Sequence, residues 1–517
     1  MGRVTVVTAK KPGGTATPVV SNVTYEPFGP VTGMKFGNGM TEARTFDLDY
    51  RLGTLTDTAT SALQHLTYGY DADSNVKTIA NAVTPANSQT LGYDTLNRLN
   101  SAVGGYGSLV YTYDQVGNRL TEKRGTVTTN YGYTANTDLL RTLTIGTTTT
   151  ETFGYTAAGN INNFNPGIMG AGSSPITSLT YNQANRLATV LAGTSNAAAY
   201  TYDASGNRIV KATGATTLYQ YDRNGHLLEE ASGTGVAQVD YLYLDGMPVA
   251  TIAPATGKLY FIHSDRLGTP QLATDGSQAI AWQTTYQPFG ATGMVSGLIT
   301  QNLRLPGQQF DAETGFNHNG FREYLPNLGR YLESDPIGIS GGLNLYSYVE
   351  GSPLSYVDPA GLAACTVLFP DYPIDTGFGF TSTSIGGHGG VLSYDDQGST
   401  RYYEFGRYSP SNQYVTGDKR PDSEGNVRRV PIPDLVIDPK TGQPTPASLE
   451  ALRKALSERA GHKTKANLTC DKDTDEKKVN KYAEDFANNK DRPPYSWKPW
   501  SSNQCRDFAN RAFGAGK

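Results

Sequence analysis

Cysteine is scarce in this chain of 517 residues. The three cysteines, Cys365, Cys470 and Cys505, are an odd number, which excludes a fully paired disulfide framework. No apolar run approaches the roughly 20 residues of a membrane-spanning helix, and residues 1–30 lack the basic start and apolar stretch of a signal peptide. We therefore expect a protein that is made in the cytoplasm and leaves the cell only by a dedicated machine or through an N-terminal segment not apparent in this sequence.

Glycine and tyrosine are abundant, with 58 and 33 copies, and threonine and asparagine are frequent as well. These residues favour many short strands joined by turns over long helices. The chain is also too long for one ordinary domain. The composition therefore predicts a mostly β protein with two or more domains.

Charged residues are distributed unevenly about residue 362. Residues 363–517 contain 22 Lys or Arg and 20 Asp or Glu, which leaves 21 and 27 for residues 1–362. The density of charge therefore about doubles at this point, which predicts a domain boundary. Because the later segment is nearly neutral and has no strong basic patch, we do not expect it to bind nucleic acid.

A Tyr-Asp motif recurs about every 20 residues in the first part of the chain. In the pattern Y-D-x-x-G-N-R-L a strand ends at the tyrosine, the aspartate caps a turn, and glycine or asparagine takes the left-handed position. Each copy predicts a β-hairpin, and neighbouring hairpins must stack because one cannot bury its own face. We expect the tyrosines in the core, with a carbohydrate-binding surface as the alternative. The clearest copies are YDADSN from Tyr70, YDTLNRL from Tyr93, YDQVGNRL from Tyr113, YDASGNRI from Tyr202 and YDRNGHLL from Tyr221.

These repeats resemble the Rhs/YD-repeat family, and the resemblance is most specific toward residue 362. The segments that match the closing core of the family are HSDRLGTP (263–270), YQPFG (286–290), LPGQQFDAETGFNHNGFREYLPNLGRYLESDPIG (305–338), LNLYSYVEGSP (343–353) and VDPAGL (357–362). The resemblance implies a β-cocoon, a wound shell of stacked hairpins around a hollow, with a small variable α+β domain packed inside it.

The same resemblance divides the chain into three expected domains. These are a YD-repeat shell at 1–254, an Rhs-associated core at 255–362 and a C-terminal toxin domain at 363–517. The N-terminal portions of the family, including those that dock on a secretion spike, are not apparent, which favours the distal part of a longer system or a truncated copy of one.

Two aspartates stand in matching contexts, Asp335 in DPIG and Asp358 in DPAG. Two carboxyl groups that share a proton can activate water against a peptide bond, one as base and one as acid. The alternative is that Asp-Pro-x-Gly is only a β-turn signature. The Rhs resemblance implies an internal aspartyl protease that cuts after this motif, at Leu362–Ala363. Arg330 either helps to hold a carboxylate charged or makes an ordinary salt bridge.

Three helices are predicted in the tail. The first begins after Thr445 as cap, with a stripe of Leu449, Leu452 and Leu456, and ends before Gly461. Val479, Tyr482 and Phe486 mark the second, and the third begins near Asn503. Cys505 therefore falls in a first helical turn, where unpaired amides and the helix dipole lower the pKa of a thiol.

A cysteine nucleophile needs a base, and His388 is the candidate. It lies in GGHGGVLSYDDQGSTRYYEFGRY, which predicts a hairpin with a strand over residues 389–394 and a return strand over 401–408. The turn places Glu404 roughly opposite His388, so that its carboxylate could orient the imidazole, although a register slip of one residue would turn Glu404 to the other face. His462, in a lysine-rich stretch, is expected at the surface. The alternative for Cys505 is a small buried hydrophobe.

The order of histidine, polar residue and helix-borne cysteine resembles circularly permuted papain-like domains, the group of NlpC/P60-like hydrolases and LRAT-like acyltransferases. The matching pieces are GGHGG before a strand and NQCRDFA at the start of a helix. This resemblance implies acyl-transfer chemistry on a protein, peptidoglycan or lipid acyl substrate, without a metal or cofactor. A nuclease tip and a non-enzymatic adhesion or surface scaffold remain as alternatives. Toxins of this kind require a cognate immunity protein.

Overall fold

The structure is a computed structural model, and it describes most of the first part of the chain and separate segments of the tail. The described residues are 3–10, 13–26, 30–168, 174–336, 344–359, 366–369, 374–375, 381–382, 388–394, 400–406, 411, 413–416, 419, 426–433, 437–438, 443–444, 451–452, 454–456, 458, 467–469 and 483–488.

Among the described residues, 27 strands form one antiparallel meander in which each strand pairs with the next along the chain. The predicted mostly β class and the stacking of hairpins are confirmed. The strands are β1 (Val7–Ala9), β2 (Thr17–Tyr25), β3 (Val31–Phe36), β4 (Thr41–Phe46), β5 (Leu52–Thr58), β6 (Ala62–Tyr70), β7 (Val76–Asn81), β8 (Gln89–Tyr93), β9 (Leu99–Gly104), β10 (Gly107–Tyr113), β11 (Arg119–Arg124), β12 (Val127–Tyr133), β13 (Leu140–Ile145), β14 (Thr148–Tyr155), β15 (Ile161–Ile168), β16 (Ile176–Tyr181), β17 (Leu187–Ala192), β18 (Ser195–Tyr202), β19 (Arg208–Ala212), β20 (Thr216–Tyr221), β21 (Leu227–Ser232), β22 (Ala237–Leu244), β23 (Met247–Ala253), β24 (Lys258–Ser264), β25 (Pro270–Thr274), β26 (Ile280–Tyr286) and β27 (Thr292–Gly297).

The turn of each repeat is built by its aspartate. In the copy that starts at Tyr93, Asp94 Oδ1 accepts the main-chain N–H groups of Leu96 and Arg98 at 2.9 and 3.0 Å. Asn97 takes the left-handed conformation at φ 60°, as the motif requires. The side chain of Arg98 then reaches forward and donates to the carbonyl of Asp114 in the next turn. In this copy the turn is thus closed locally and tied to its neighbour.

A four-stranded antiparallel sheet follows the meander. Its strands are β28 (Gln308–Asp311), β29 (Phe316–Asn319), β30 (Arg322–Leu325) and β31 (Arg330–Tyr331). Phe316, Leu325 and Leu332 lie in one apolar cluster with the buried side chains of strands β12 to β18. This small sheet therefore packs against the meander and shares its core. Short 3-10 turns occur at Pro85–Asn87 and Val349–Gly351.

The chain divides into two compact units. The first comprises residues 1–334 and 346–361, and the second comprises residues 335–345 and 362–517. The meander continues across residues 254 and 255, because β23 pairs with β24. The principal division of the chain thus falls between Gly361 and Leu362.

The second unit contains both strands and helices. A five-stranded antiparallel sheet has the order β37 (Asn426–Val430), β36 (Thr400–Gly406), β35 (His388–Tyr394), β32 (Thr366–Phe369) and β40 (Asn467–Thr469), and two two-stranded ribbons accompany it among the described segments. Residues 451–458, where described, and residues 483–488 are helical, at the positions of the first two predicted helices. No helix in the described part of the chain is long and apolar enough to cross a membrane. The strands of the two ribbons are β33 (Ile374–Asp375) with β34 (Thr381–Ser382), and β38 (Ile437–Asp438) with β39 (Gln443–Pro444).

Candidate self-cleavage and effector sites

Asp358 is held in the first unit by three side chains of the four-stranded sheet. Its Oδ2 accepts a hydrogen bond from the Tyr331 hydroxyl at 2.7 Å and, within a salt bridge, a second one from Arg322 Nη2 at 3.2 Å. Asn319 donates both to the main-chain oxygen of Asp358 at 2.9 Å and to the Tyr331 hydroxyl oxygen at 2.6 Å. Both the carboxylate and the main chain of Asp358 are thus fixed by side chains that come from β29, β30 and β31.

The ring of Tyr331 lies under the guanidinium of Arg322, with 3.6 Å from the carbon of that group to the ring centroid. Tyr331 also packs against Tyr324 and Tyr348. Burial, followed by the negative charge of Asp358, raises the pKa of Tyr331 well above its usual value. Tyr331 is therefore a hydrogen-bond donor to Asp358 over the whole physiological pH range.

The main chain next to Asp358 passes directly over a glycine. Gly307 has φ +82°, and a Cβ built on it would lie 2.0 Å from the main-chain oxygen of Pro359. Any side chain at this position would both strain the backbone and collide with Pro359. The glycine of LPGQQF is therefore what allows the segment that carries Asp358 to lie against the start of β28.

Asp335 belongs to the second unit by the division of the chain. It is buried, and its main-chain N–H donates to the carbonyl of Leu345 at 2.9 Å. The predicted cleavage bond, Leu362–Ala363, lies outside the described residues.

Arg322, rather than Arg330, pairs with a carboxylate of the D-P-x-G motifs. Arg330 donates to the main-chain carbonyl of Asp138 at 2.9 Å and lies 4.8 Å from the ring centroid of Tyr346. Arg322 was not singled out from the sequence, since nothing in GFREY distinguishes it from a structural arginine. The alternation of a strand, which turns Arg322 and Glu323 to opposite faces, is the signal that could have found it.

The predicted hairpin around His388 is present in the second unit. Strands β35 and β36 pair antiparallel, and the register places Glu404 across from Gly390. Glu404 is therefore displaced by two residues from the position opposite His388, but it keeps the same parity along the ladder. The register slip of one residue, which would have turned Glu404 to the other face, does not occur.

Glu404 also has a structural partner. Its fully buried carboxylate forms an ion pair with Arg428 of β37 and accepts a hydrogen bond from the Tyr402 hydroxyl at 3.2 Å. On the opposite face of β36, Phe405 makes an edge-to-face contact with Phe486 of the second helix at 5.1 Å between ring centroids. The ion pair is thus one explanation for Glu404 that does not require catalysis. Cys505, Cys470 and His462 lie outside the described residues.

The part of the chain that the structure describes contains no set of side chains suited to binding a metal ion. No group of three or more His, Cys, Asp or Glu side chains there is arranged to hold an ion. The candidate reactive groups among the described residues are carboxylates and the side chains that bind them. Asp358 is the best-defined candidate, since its Oδ2 and its main chain are both fixed.

Two family models match separate parts of the chain. Residues 366–516 match a type VI secretion system effector family described as TseH-like, and residues 171–269 match the teneurin YD-shell family. The start of the effector-family match at residue 366 agrees with the change of charge density and with the division into compact units.

Curated relatives include two toxins. The double-stranded DNA deaminase toxin A of Burkholderia cenocepacia is 31% identical over 204 residues, which cover 33% of this chain and 14% of that protein. The toxin protein Tse5 of Pseudomonas aeruginosa is 37% identical over 121 residues, or 23% of this chain and 9% of that protein. The matched region is thus a small fraction of each relative.

A solved structure shares the fold. The Tc holotoxin pore of Photorhabdus luminescens, in a form with the TccC3 mutation D651A, aligns with a TM-score of 0.56 and 22% identity over 68% of this chain and 19% of that chain. The large antiparallel sheet is thus a known architecture of toxin complexes. The family-model matches and the toxin relatives support a relationship of the chain to Rhs/YD-repeat toxins, whereas the solved structure shows only that the fold is shared.

Proposed function

We propose that this chain is the carrier of a polymorphic toxin used in competition between bacteria, which cuts itself at Leu362–Ala363 and frees residues 363–517 as a cysteine-dependent effector. The freed segment would be delivered into a target bacterial cell, and a cognate immunity protein would protect the producer. The match of residues 366–516 to a type VI secretion effector family supports the effector half.

The observation that carries the proposal is the fixation of Asp358 four residues before the proposed cleavage bond. A carboxylate with no chemical task at a D-P-x-G turn would need only its own turn contacts. Asp358 instead receives Arg322 and Tyr331 on one oxygen, while Gly307 makes room for the main chain that follows it. Groups that bind the reacting chain in one geometry are what an intramolecular cleavage requires.

In the proposed reaction Asp335 and Asp358 divide the roles of base and acid. One carboxylate takes a proton from water as the water oxygen attacks the carbonyl carbon of Leu362. The other, protonated, gives its proton to the leaving nitrogen of Ala363 as the peptide bond breaks. The Arg322 charge would favour the ionised form of Asp358, and therefore the role of base for it.

In the proposed effector reaction His388 takes the proton of Cys505, and the thiolate attacks a carbonyl carbon. The leaving group departs with a proton, and water or another acceptor then resolves the thioester. Peptide or isopeptide hydrolysis, deamidation of glutamine, cleavage of peptidoglycan amides and transfer of a lipid acyl group all follow this course. Glu404 is proposed as the group that orients His388.

The effector half is tested by expressing residues 363–517 in bacterial cytoplasm and, with an added export signal, in the periplasm. Cys505→Ala and His388→Ala should abolish growth inhibition in the compartment where the wild-type segment inhibits growth. Cys470→Ala and His462→Ala, which change the same residue types outside the proposed site, should leave the inhibition unchanged. Inhibition that survives both Cys505→Ala and His388→Ala rejects cysteine chemistry.

A tip that acts on DNA is the second candidate, because one relative is named a double-stranded DNA deaminase toxin. Damage or base changes in target-cell DNA, with unchanged envelope fragments and proteins, would favour it. A wild-type segment that is harmless in both compartments would favour the non-enzymatic scaffold.

A further inference from the structure

Glu323, on the face of β30 opposite Arg322, and Glu333, which follows β31, form a pair of buried glutamates. The main-chain N–H of Glu323 donates to Glu333 Oε2 at 2.8 Å, and both residues are at most 3% exposed. Glu323 Oε1 is 2.7 Å from Nδ1 of His318. Within the described residues, Glu323 Oε2 is buried without a hydrogen-bond partner. A fully ionised carboxylate in such a position would be costly.

The nearby cations do not balance the carboxyl groups. Arg208 comes within 3.9 Å of Glu323, but its guanidinium makes two hydrogen bonds to Asp311, which Lys211 also contacts at 2.9 Å. The charged and titratable groups that face the pair are Arg186, Arg208, Lys211, Asp311, His318, Tyr181, Tyr200 and Tyr202, and Glu313 contacts Lys211 at 3.3 Å. Three cations thus stand among four carboxyl groups, two of which are Glu323 and Glu333.

We propose that Glu323 and Glu333 are a proton-holding pair whose protonated form keeps β30 docked, and that this stabilisation is lost progressively from mildly acid to mildly alkaline pH, which loosens the strand that presents Arg322 to Asp358. The consequence for Asp358 rests on the self-cleavage proposed above, whereas the behaviour of the strand does not.

The pKa values of the cluster agree with this geometry. Burial raises the pKa of Glu323 to about 8, and burial together with the neighbouring Glu323 raises the pKa of Glu333 to about 8. Burial, then the charges of Arg208 and Arg186, hold the pKa of His318 well below its usual value, so the imidazole is neutral and cannot compensate an ionised Glu323.

The raised pKa values of Glu323 and Glu333 determine how the stability of the docked strand changes with pH. A carboxyl group whose pKa is higher in the folded than in the unfolded state binds more protons when folded. Its contribution to stability is fully present below the unfolded pKa and is lost as the pH rises through the folded one. For each proton that the pair holds when β30 is docked and releases when β30 opens, the opening equilibrium constant should rise about tenfold as the pH rises by one unit, between roughly pH 5 and pH 8.

The test is hydrogen exchange of the full chain, read by mass spectrometry in peptides that cover residues 316–333 and corrected for the intrinsic rate, from about pH 5 to pH 9. Glu333→Gln replaces a protonated carboxyl group by a neutral isostere, so one proton fewer is released on opening. The factor by which the opening constant rises per pH unit should therefore be about one tenth of the wild-type factor. At pH 8 the variant should open less than the wild type. Glu323→Gln should behave alike.

Glu122→Gln is the matched control. Glu122 is also a buried glutamate of the first unit, but it is paired with Arg119 at 2.9 Å and Arg124 at 2.8 Å. Loss of its charge should increase opening by the same factor at every pH and leave the slope at the wild-type value. A Glu333→Gln chain with the slope and the offset of Glu122→Gln would overturn the proposal.

A second readout is infrared spectroscopy. The wild-type chain should show a protonated carboxyl band at pH 7 that declines toward pH 9 and is weaker in Glu333→Gln; absence of that band at pH 7, or a band of equal strength in the variant, would overturn the proposal. Neither readout depends on cleavage. A chain that never cuts itself but shows the slope would retain the acid pair and reject self-cleavage.

Discussion

The motif tyrosine joins each hairpin to the hairpin before it. Tyr113 donates to the carbonyl of Leu99, the first residue of the preceding return strand, at 2.8 Å, and Tyr93 donates to Val76 in the same way at 2.9 Å. The bond recurs at Tyr70, Tyr133, Tyr181, Tyr202 and Tyr243. The ring is half-buried in the core and its hydroxyl satisfies a carbonyl, so the repeated tyrosines have a structural use that needs no carbohydrate.

Tyr113→Phe should therefore lower the free energy of unfolding by about 1 kcal/mol, because the variant leaves the Leu99 carbonyl without this donor. Urea unfolding at neutral pH measures it. Tyr260→Phe is the control, since its hydroxyl makes no hydrogen bond to any residue that the structure describes, and it should change the midpoint little. Equal effects of the two substitutions would show that the hydroxyl bond does not stabilise the sheet.

Arg322 has a different role from Arg330, the other arginine of the four-stranded sheet, because Arg322 contacts Asp358. Arg322→Gln removes the charge that favours ionised Asp358 and should slow self-cleavage by on the order of tenfold to a hundredfold. Arg330→Gln removes a contact to Tyr133 and the Asp138 carbonyl and should leave the rate within about twofold. The fraction of cut chain after timed expression, measured on gels, compares them. Equal rates for wild type and Arg322→Gln would count against the role of Asp358.

At the scale of elements, β30 separates two groups of interacting side chains, one on each of its faces. Arg322 on one face contacts Asp358, and Glu323 on the other contacts His318 and Glu333. A disturbance of either face therefore reaches the other through one short strand. The start of β28 is a second such point, because Gly307 supports Pro359.

Gly307→Ala tests that support. Gly225 has nearly the same backbone angle, φ +80°, but a Cβ there would meet nothing within 4 Å. Gly225→Ala should lower stability by about 1 kcal/mol through backbone strain alone. Gly307→Ala should add a cost of about 1 to 3 kcal/mol, since the main chain at Pro359 must move. Hydrogen exchange of peptides ending near residue 359 should accelerate only in Gly307→Ala, and equal effects of the two substitutions would refute the contact.

The elements that could be predicted from the sequence are those built by local chemistry. The Asp94 turn with its left-handed Asn97, the hairpin of β35 and β36, and the helix that buries Leu452 and Leu456 each follow from residues close together in the chain. Gly307 with Pro359, and Glu404 with Arg428, could not be predicted. Their partners are 52 and 24 positions away, and a pattern in one sequence carries no record of such contacts.

At the scale of the molecule, composition, compact units and family matches agree on a division near residue 362. The change of charge density, the boundary between Gly361 and Leu362, and the start of the effector match at residue 366 fall within a few residues of one another. Cleavage at Leu362–Ala363 would turn the division into a physical separation.

The most direct test of this account is the N-terminal sequence and mass of the small fragment from the purified full chain. The wild type should give a fragment that begins at Ala363. Asp358→Asn and Asp335→Asn should each leave the chain intact, while Asp114→Asn, which changes only a turn of the repeat, should not prevent cleavage. A wild-type chain that remains uncut, or a fragment that begins elsewhere, would contradict the account.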